Sequence, residues 1–229
     1  MKSMVFDTGP IISLATNNLL WILEPLKKKF GGKFYITESV KHELVDVPLG
    51  TKKFKFEAIQ VEKLIEDNIL EVVNYDSIGS ETAKLLDAAN GIFTAFNNKI
   101  QIVHFAEMSA VAAAVKLNAD AIVIDEKTTR FLIENPKIVY EILRRNLHTS
   151  VAMDEANLKL IKNAAGNIKT IRSIELVTIA YENGILDKFI TKIPNAKKNL
   201  LESVLWGVKL KGCAVSRDEI EEILRIEMK

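Results

Sequence analysis

The sequence predicts an α/β protein in which a parallel sheet is covered by helices on both faces. Short apolar segments of strand length alternate with helical segments over most of the chain, and this alternation is typical of parallel sheets. Two of the apolar segments end in a carboxylate, at Asp7 and at Asp125. Beyond residue 150 the pattern is mostly helical, which indicates a helical C-terminal extension.

Turn and capping residues define the predicted elements of the N-terminal half. Gly31 and Gly32 end the first helix, and Thr37 is suited to cap the next one. The predicted strands are 4–6, 33–36 and 69–73, and the predicted helices are 10–27, 38–44, 61–66 and 80–96. Residues 101–103 fit either a short strand or the approach to the following helix.

The C-terminal half continues the alternation and then becomes helical. Asn135-Pro136, Asp154 and the Ser216/Glu219 pair are suited to start helices. The predicted helices are 105–117, 136–145, 155–165, 174–183 and one after 216, and the predicted strands are 121–124 and 168–171. A boundary at 148–151 divides a domain at 1–150 from a segment at 151–229, which completes the sheet and adds the extension.

Composition excludes several classes of protein. The 229 residues are 48% hydrophobic and 27% charged, and the net charge of +1 argues against a broadly basic nucleic-acid surface. We find no apolar run of about 18 residues and no signal sequence, so we expect a cytoplasmic protein with no membrane partner. The single cysteine, Cys213, excludes an internal disulfide and a thiolate zinc site.

Asp7 stands at a strand-to-helix junction. It ends an apolar strand, Gly9 permits a sharp turn, and Pro10 suits the first position of a helix. In an α/β protein such a junction faces the crevice at the carboxyl ends of the strands. A turn-capping role for Asp7 is the plain alternative. Asp-Thr-Gly also occurs in aspartic proteases, but those use two loops on a β scaffold, and here a helical pattern follows at once.

Further acids are placed to join Asp7. Asp125 ends a second strand with Glu126 directly after it, and Glu43 and Glu107 lie near the starts of two helices. Like charges held together raise one another's pKa unless a cation neutralises them. Oxygen ligands without cysteine or clustered histidine suit Mg²⁺ or Mn²⁺, which can activate a water and stabilise a phosphate under in-line attack. Each acid by itself is better explained as a solvated residue or a helix cap, so the metal-site hypothesis depends on all of these acids together.

The order of these segments resembles the PIN-domain nucleases, which include the VapC-type toxin ribonucleases. The segments that carry the resemblance are 5–8, 36–44, 106–114 and 122–126, and the C-terminal helices resemble the extension of an archaeal and bacterial subgroup. The resemblance implies a three-layer α/β/α sandwich whose acids bind Mg²⁺ or Mn²⁺ and cleave RNA. Its implied catalytic and metal-binding acids are Asp7, Glu43, Glu107 and Asp125, with Glu126 as a neighbouring or substitute ligand, and its implied supporting hydroxyls are Thr8, Ser13 and Ser173.

The chain departs from the subgroup's pattern at the third motif. Ala106 replaces a glycine and Ser109 replaces a second glutamate, and both changes bear on metal affinity and rate. Residues 76–100 look like an insertion relative to compact members of the family. Within them, the stretch 80–83 resembles the third motif but is not the position that we assign to it. We prefer Glu107 because it opens the helix that leads into the Asp125 strand.

The leading hypothesis is therefore a Mg²⁺- or Mn²⁺-dependent endoribonuclease, toxin-like or active in RNA processing. The alternative is a catalytically weak PIN-like module that binds RNA or protein. A haloacid-dehalogenase-like phosphatase would need an aspartate at position 9, where the chain has Gly9. The implied partners are an RNA substrate and an antitoxin or processing factor. Helices on both sheet faces and an apolar C-terminal region around Leu200, Leu201, Val204, Leu205 and Val208 also predict a homodimer.

Overall fold

A five-stranded parallel sheet forms the centre of the protein in the computed structural model, which describes residues 2–228. The strands are β1 (Ser3–Phe6), β2 (Lys33–Thr37), β3 (Glu71–Val73), β4 (Phe93–Ala95), β5 (Asn98–Lys99), β6 (Ala121–Val123), β7 (Ala152–Met153) and β8 (Lys169–Ile171). The central sheet has the order β3-β2-β1-β6-β8. The short strands β5, β4 and β7 form a separate antiparallel sheet.

Helices cover both faces of the central sheet. They are α1 (Thr8–Thr16), α2 (Leu23–Phe30), α3 (Glu38–Lys41), α4 (Val47–Leu49), α5 (Lys55–Glu66), α6 (Tyr75–Gly91), α7 (Phe105–Lys116), α8 (Lys127–Glu134), α9 (Pro136–Leu147), α10 (Glu155–Ala165), α11 (Ser173–Glu182), α12 (Ala196–Leu210) and α13 (Arg217–Glu227). A π-helical segment, His42–Asp46, joins α3 to α4. The predicted three-layer α/β/α sandwich with a helical extension is confirmed.

Two hydrophobic cores lie on opposite faces of the sheet. One contains side chains from α1, α2, α3, α5 and α11–α13, and the other contains side chains from α6–α10. Helix α7 packs against β1, β2 and β6. Its buried alanines, Ala110 and 112–114, have small side chains that let the helix lie close to the strands.

The strand order places a switch point between β1 and β6. From β1 the chain proceeds outward to β2 and β3, whereas from β6 it proceeds the other way to β8. The helices after β1 and after β6 lie on opposite faces, so the two connections separate and leave a crevice at the carboxyl ends of these strands. Asp7 follows β1 directly, and its N–H donates to the Val123 carbonyl at 3.0 Å.

The predicted helix at 10–27 is wrong, because the chain forms α1 and α2 with a break between them. Asn18 adopts a left-handed backbone with φ of 55°, and the Leu19 N–H donates to the Leu14 carbonyl at 2.8 Å. This six-to-one hydrogen bond closes a helix C-terminus. Asparagine tolerates the left-handed conformation better than most residues, so the Asn17-Asn18 pair is the sequence feature that indicates the end of α1.

The predicted helix at 80–96 is wrong at both ends. Asn74 caps α6 through a hydrogen bond from the Asp76 N–H, so that Ser80 lies inside the helix. After Gly91 the chain enters the hairpin of β4 and β5, whose turn residues Phe96 and Asn97 both have positive φ. Residues 101–103 form neither helix nor strand. Helix α8 was not predicted.

The other predicted elements are present with shifted ends, including the caps at Thr37 and Asp154 and the capping box at Ser216. Strand β8 adds to the sheet beside β6, and α11 and α12 pack against α1. The boundary between 1–150 and 151–229 stays a prediction. Within residues 2–228, we find no helix that combines the length and the apolar character needed to cross a membrane.

Candidate active site

Asp7 is a buried carboxylate with an unpartnered oxygen. Its side chain is 4% exposed, and its Oδ1 atom has no hydrogen-bond partner. Burial raises the pKa of Asp7 to about 7; the carboxylates of Glu107 and Glu43 also raise it, against the lowering effect of the Thr8 and Gly9 N–H groups. An unsatisfied buried carboxylate oxygen is costly, so it suggests a ligand at this position.

Asp125 lies on the neighbouring strand end and is held by two serines. Its Oδ1 accepts from the Ser173 N–H at 2.7 Å, and its Oδ2 accepts from the Ser13 and Ser173 hydroxyls, each at 2.7 Å. All three side chains are buried. A carboxylate has about four lone-pair sites, and these hydrogen bonds use three of them. The predicted supporting hydroxyls Ser13 and Ser173 therefore meet on a predicted acid.

Gly9 fits between the two aspartates. A Cβ atom at this position would lie 3.4 Å from the Asp125 Cβ and 3.8 Å from the Asp7 Oδ2. Asp7 and Asp125 thus flank the same turn, at the carboxyl ends of β1 and β6. A larger residue at position 9 would occupy the space that they share.

Glu43 approaches the same edge from the π-helical segment. It is exposed, and its Oε2 accepts a hydrogen bond from the Thr8 hydroxyl at 2.7 Å. Thr8 follows Asp7 directly, so this bond holds Glu43 over the strand end that carries Asp7. The single-turn π-helix that presents Glu43 is a feature found frequently at functional sites.

Glu107 lies in the first turn of α7 and is half-buried. Its Oε2 accepts from the His104 N–H at 2.8 Å in a capping box. Burial raises the pKa of Glu107, and the charge of Glu126 raises it further, while the His104 N–H opposes this shift. Burial is the largest cause of the raised pKa values of Asp7 and Glu107, and the charges of neighbouring acids add to it.

The two departures at the third motif, Ser109 and Ala106, are both buried in α7. Ser109 is buried, shares a hydrogen bond of 2.7 Å with the Thr37 hydroxyl, and donates to the Ala106 carbonyl at 2.7 Å. Ser109 therefore joins α7 to the end of β2 and does not face the acids as a free donor. Ala106 is buried in the first turn of α7.

Glu126 caps α8 through a hydrogen bond of 2.6 Å from the Thr129 N–H to its Oε2. Thr129 is fully buried, and its hydroxyl oxygen has no partner. The charge of Glu126 acts on Glu107, so the two acids are electrostatically coupled across the edge of the sheet.

The predicted acids lie at one edge of the sheet, but their side chains do not converge on a common point. Within residues 2–228, no set of three or more acidic, histidine or cysteine side chains is close enough to hold a metal ion as the side chains stand. Glu43 and Glu107 are turned to Thr8 and to the His104 N–H. Each would give up about one hydrogen bond to a carboxylate, worth about 1.5–3 kcal/mol, to turn towards Asp7.

Sequence reasoning missed the C-terminal residues that support Asp125. Cys213 is buried, and burial together with the charge of Asp125 raises the pKa of its thiol to about 12. The Ala214 N–H donates to the Asp125 carbonyl at 3.1 Å. Arg172 donates to the Ala214 carbonyl at 3.0 Å and pairs with Glu219 at 2.9 Å. No local pattern links residue 214 to residue 125.

Fold and site together define an α/β/α protein with an acidic centre at the switch point of a parallel sheet. The family model described as a PIN domain matches residues 3–140, and the chain belongs to this family. PIN domains are generally nucleases that use divalent cations, so the chain has a nuclease-type fold. Comparisons with curated proteins and with solved structures give no significant match.

Proposed function

We propose that the protein is a Mg²⁺- or Mn²⁺-dependent ribonuclease that hydrolyses phosphodiester bonds. The observation that carries this proposal is the buried, unpartnered oxygen of Asp7 at the switch point between β1 and β6. A buried carboxylate with a free oxygen suits a hard cation, which prefers oxygen ligands. The proposed ligands are Asp7, Glu43, Glu107 and Asp125, with Glu126 as a further acid.

The donor set fits such a cation in its chemistry. It consists of carboxylates, and Cys213 holds its proton at neutral pH because its pKa is raised to about 12. A divalent cation bound here would offset the repulsion among the acids and supply Lewis acidity for phosphodiester hydrolysis. The protein's own part is to hold Asp125 between Ser13 and Ser173, and to carry Glu43 and Glu107 on long side chains that can turn towards Asp7.

A binding module without catalysis is the second candidate. One observation favours it: Ser109, which replaces an acid of the subgroup, is committed to Thr37 and cannot supply a ligand. The site then has fewer charges to hold a cation. The two candidates predict different outcomes when RNA binding and RNA cleavage are measured on the same variant.

Replacing Glu107 with glutamine is expected to keep measurable RNA binding in Mg²⁺ but to lose most cleavage. Glutamine keeps the shape and the hydrogen bond from His104 and removes the charge. Gel-shift and cleavage assays on the parent and on Glu107→Gln give the comparison. Glu155→Gln is the matched control, because Glu155 also lies in the first turn of a helix but faces solvent on α10. If the parent binds RNA yet cleaves none of a varied panel, the binding module is correct.

Divalent cations are expected to raise the melting temperature of the parent far more than that of Asp7→Asn. A ligand that binds only the native state at about a hundredfold excess over its Kd stabilises by about 2.7 kcal/mol, which corresponds to roughly 5–10 °C for a chain of this length. Thermal unfolding with Mn²⁺ or Mg²⁺ measures the shift, and Asp87→Asn on the exposed face of α6 is the control. Equal shifts in the parent and Asp7→Asn would show that Asp7 is not a ligand.

The membership of a VapC-like subgroup, an antitoxin or processing partner, and a homodimer are further parts of the proposal. The homodimer was predicted from helices on both sheet faces and from an apolar C-terminal stretch around Leu200, Leu201, Val204, Leu205 and Val208. Leu201, Leu205 and Val208 are fully buried in the core of the same chain, whereas Leu200 and Val204 are half-buried against it. Most of this stretch is therefore covered within one chain, and the homodimer stays a prediction.

A further inference from the structure

An open cleft lies beside the acidic site. It has a volume of about 760 Å³ and lies between the start of α3, the π-helical segment and the first turns of α6 and α7. Glu43 and Ala106 belong to its wall, so it is continuous with the edge that carries Asp7 and Glu107. The remaining wall residues are Glu38, Ser39, His42, Tyr75, His104 and Phe105.

Two aromatic rings in this wall are paired and accessible. The centroids of Tyr75 and Phe105 lie 5.9 Å apart, with an angle of 38° between the ring planes. Tyr75 is 44% exposed and Phe105 is 38% exposed. Large aromatic side chains normally lose most of their surface on folding, so a ring pair beside a candidate active site presents apolar faces to a ligand.

The position of Tyr75 is supported on two sides. Its backbone N–H donates to Glu38 at 2.8 Å, which ties the start of α6 to α3. Gly79 lies one turn further along α6, and a Cβ atom there would come within 2.7 Å of the Tyr75 ring. Glycine inside a helix costs about 1 kcal/mol relative to alanine, and here it leaves the space in which the ring lies.

Phe105 lies on the helix that carries Glu107. It is the first residue of α7, two positions before Glu107, and the capping box of His104 and Glu107 fixes this turn. Phe105 and Glu43 both belong to the cleft wall, so a planar group stacked on Phe105 would lie in the cleft that Glu43 borders. Stacking on aromatic faces is how proteins bind unpaired bases without reading their sequence.

We propose that Tyr75 and Phe105 form a stacking platform for the unpaired bases of a nucleic-acid strand whose backbone passes the Asp7 edge. This inference rests on the proposed function, because it names two residues that would position the RNA beside the acids. A duplex keeps its base faces stacked inside the helix and cannot use the platform. Glu38 and Glu43 lie in the same cleft and repel phosphate, so stacking offsets a charge pattern that is unfavourable for a polyanion.

The test measures RNA binding in the Asp7→Asn background, in which cleavage does not interfere. Fluorescence anisotropy compares three probes: a short unpaired oligoribonucleotide, the same strand in a duplex, and a strand of equal length with abasic sites. Tyr75→Ala and Phe105→Leu are each expected to lower the affinity for the unpaired strand about tenfold. Tyr75→Phe is expected to bind as the background protein does. The duplex and abasic strands should be little affected by any of these changes.

Two further variants separate stacking from general damage. Phe189→Leu is the matched control, because Phe189 is 50% exposed and paired with Trp21 outside the cleft. Gly79→Ala keeps both aromatic residues but displaces the Tyr75 ring, so we expect a folded protein with unchanged or raised thermal stability and reduced affinity for the unpaired strand. Full affinity in both Tyr75→Ala and Phe105→Leu, or equal losses on all three probes, would overturn the platform.

Failure of this inference differs from failure of the proposed function. If the parent protein cleaves no RNA but the aromatic variants lose affinity for the unpaired strand, the nuclease proposal fails and the platform stands. If the parent cleaves RNA and the aromatic variants bind as the background protein does, the platform alone fails. Absence of binding to every probe would also overturn it.

Discussion

Asp7→Asn is expected to become increasingly more stable than the parent protein as the pH rises from about 4 to about 7 in the absence of divalent cations. The pKa of Asp7 is raised from 3.8 to about 7 in the folded state, chiefly by burial. A raised pKa contributes stability that is fully present below the unfolded pKa of 3.8 and is lost as the pH rises through about 7. Over this window the loss amounts to about 4 kcal/mol, since each pKa unit corresponds to about 1.4 kcal/mol.

The measurement is denaturant unfolding of both proteins at several pH values with a chelator present. Asparagine does not titrate, and contributions from groups that do not interact with Asp7 cancel in the difference between the two proteins. Asp87→Asn, on the exposed face of α6, should track the parent at every pH. A difference between the parent and Asp7→Asn that does not change with pH would show that Asp7 is not the buried acid described here.

The sequence was sufficient to predict the layers and the strand-end positions of Asp7 and Asp125, because both leave local signals. Apolar strands that end in Asp7 and Asp125 are visible in the chain, and parallel strands bring such ends to one edge. The sequence does not show that β1 and β6 are neighbours, since residues Val5 and Ile122 pair across a long stretch of chain. That adjacency, and the switch point it creates, follow from tertiary packing.

Errors in the predicted helices came from competing cap signals. Asn18 ends α1 with a left-handed backbone inside what looked like one apolar helical run. Asn74 starts α6 earlier than the more obvious Ser80. Each error reflects an asparagine whose side chain or backbone suits a helix end. Asparagine indicates a helix end less strongly than glycine or proline does.

The arrangement around the acids could be predicted only in part. Ser13 and Ser173 were named as supporting hydroxyls, and the structure places both on Asp125. The bond from Thr37 to Ser109 was not expected, nor was the contact of Ala214 with Asp125. These contacts join residues far apart in sequence whose local surroundings show no special pattern, so they become visible only when the sheet edge is assembled.

Asp7→Asn is also expected to lower RNA cleavage in Mg²⁺ or Mn²⁺ by on the order of a hundredfold or more while leaving the fold intact. Changes even to residues that only orient metal ligands typically cost about 10–100-fold in activity, and Asp7 is proposed as a ligand itself. Asparagine keeps the shape of the side chain, so the hydrogen bond from the Asp7 N–H to Val123 and the strand pairing should survive. The higher stability expected for Asp7→Asn distinguishes a loss of cleavage caused by the missing ligand from one caused by misfolding.

The most direct test of the central claim is the cleavage of a panel of single-stranded and structured RNAs by the purified parent protein, Asp7→Asn and the control Asp87→Asn. Each protein is assayed with Mg²⁺, with Mn²⁺ and with a chelator. We predict cleavage by the parent and by Asp87→Asn that requires a divalent cation, and loss of that cleavage in Asp7→Asn. Cleavage that persists in the chelator or in Asp7→Asn, or no cleavage of any RNA by the parent, would contradict the assignment of this acidic edge as a metal-dependent ribonuclease site.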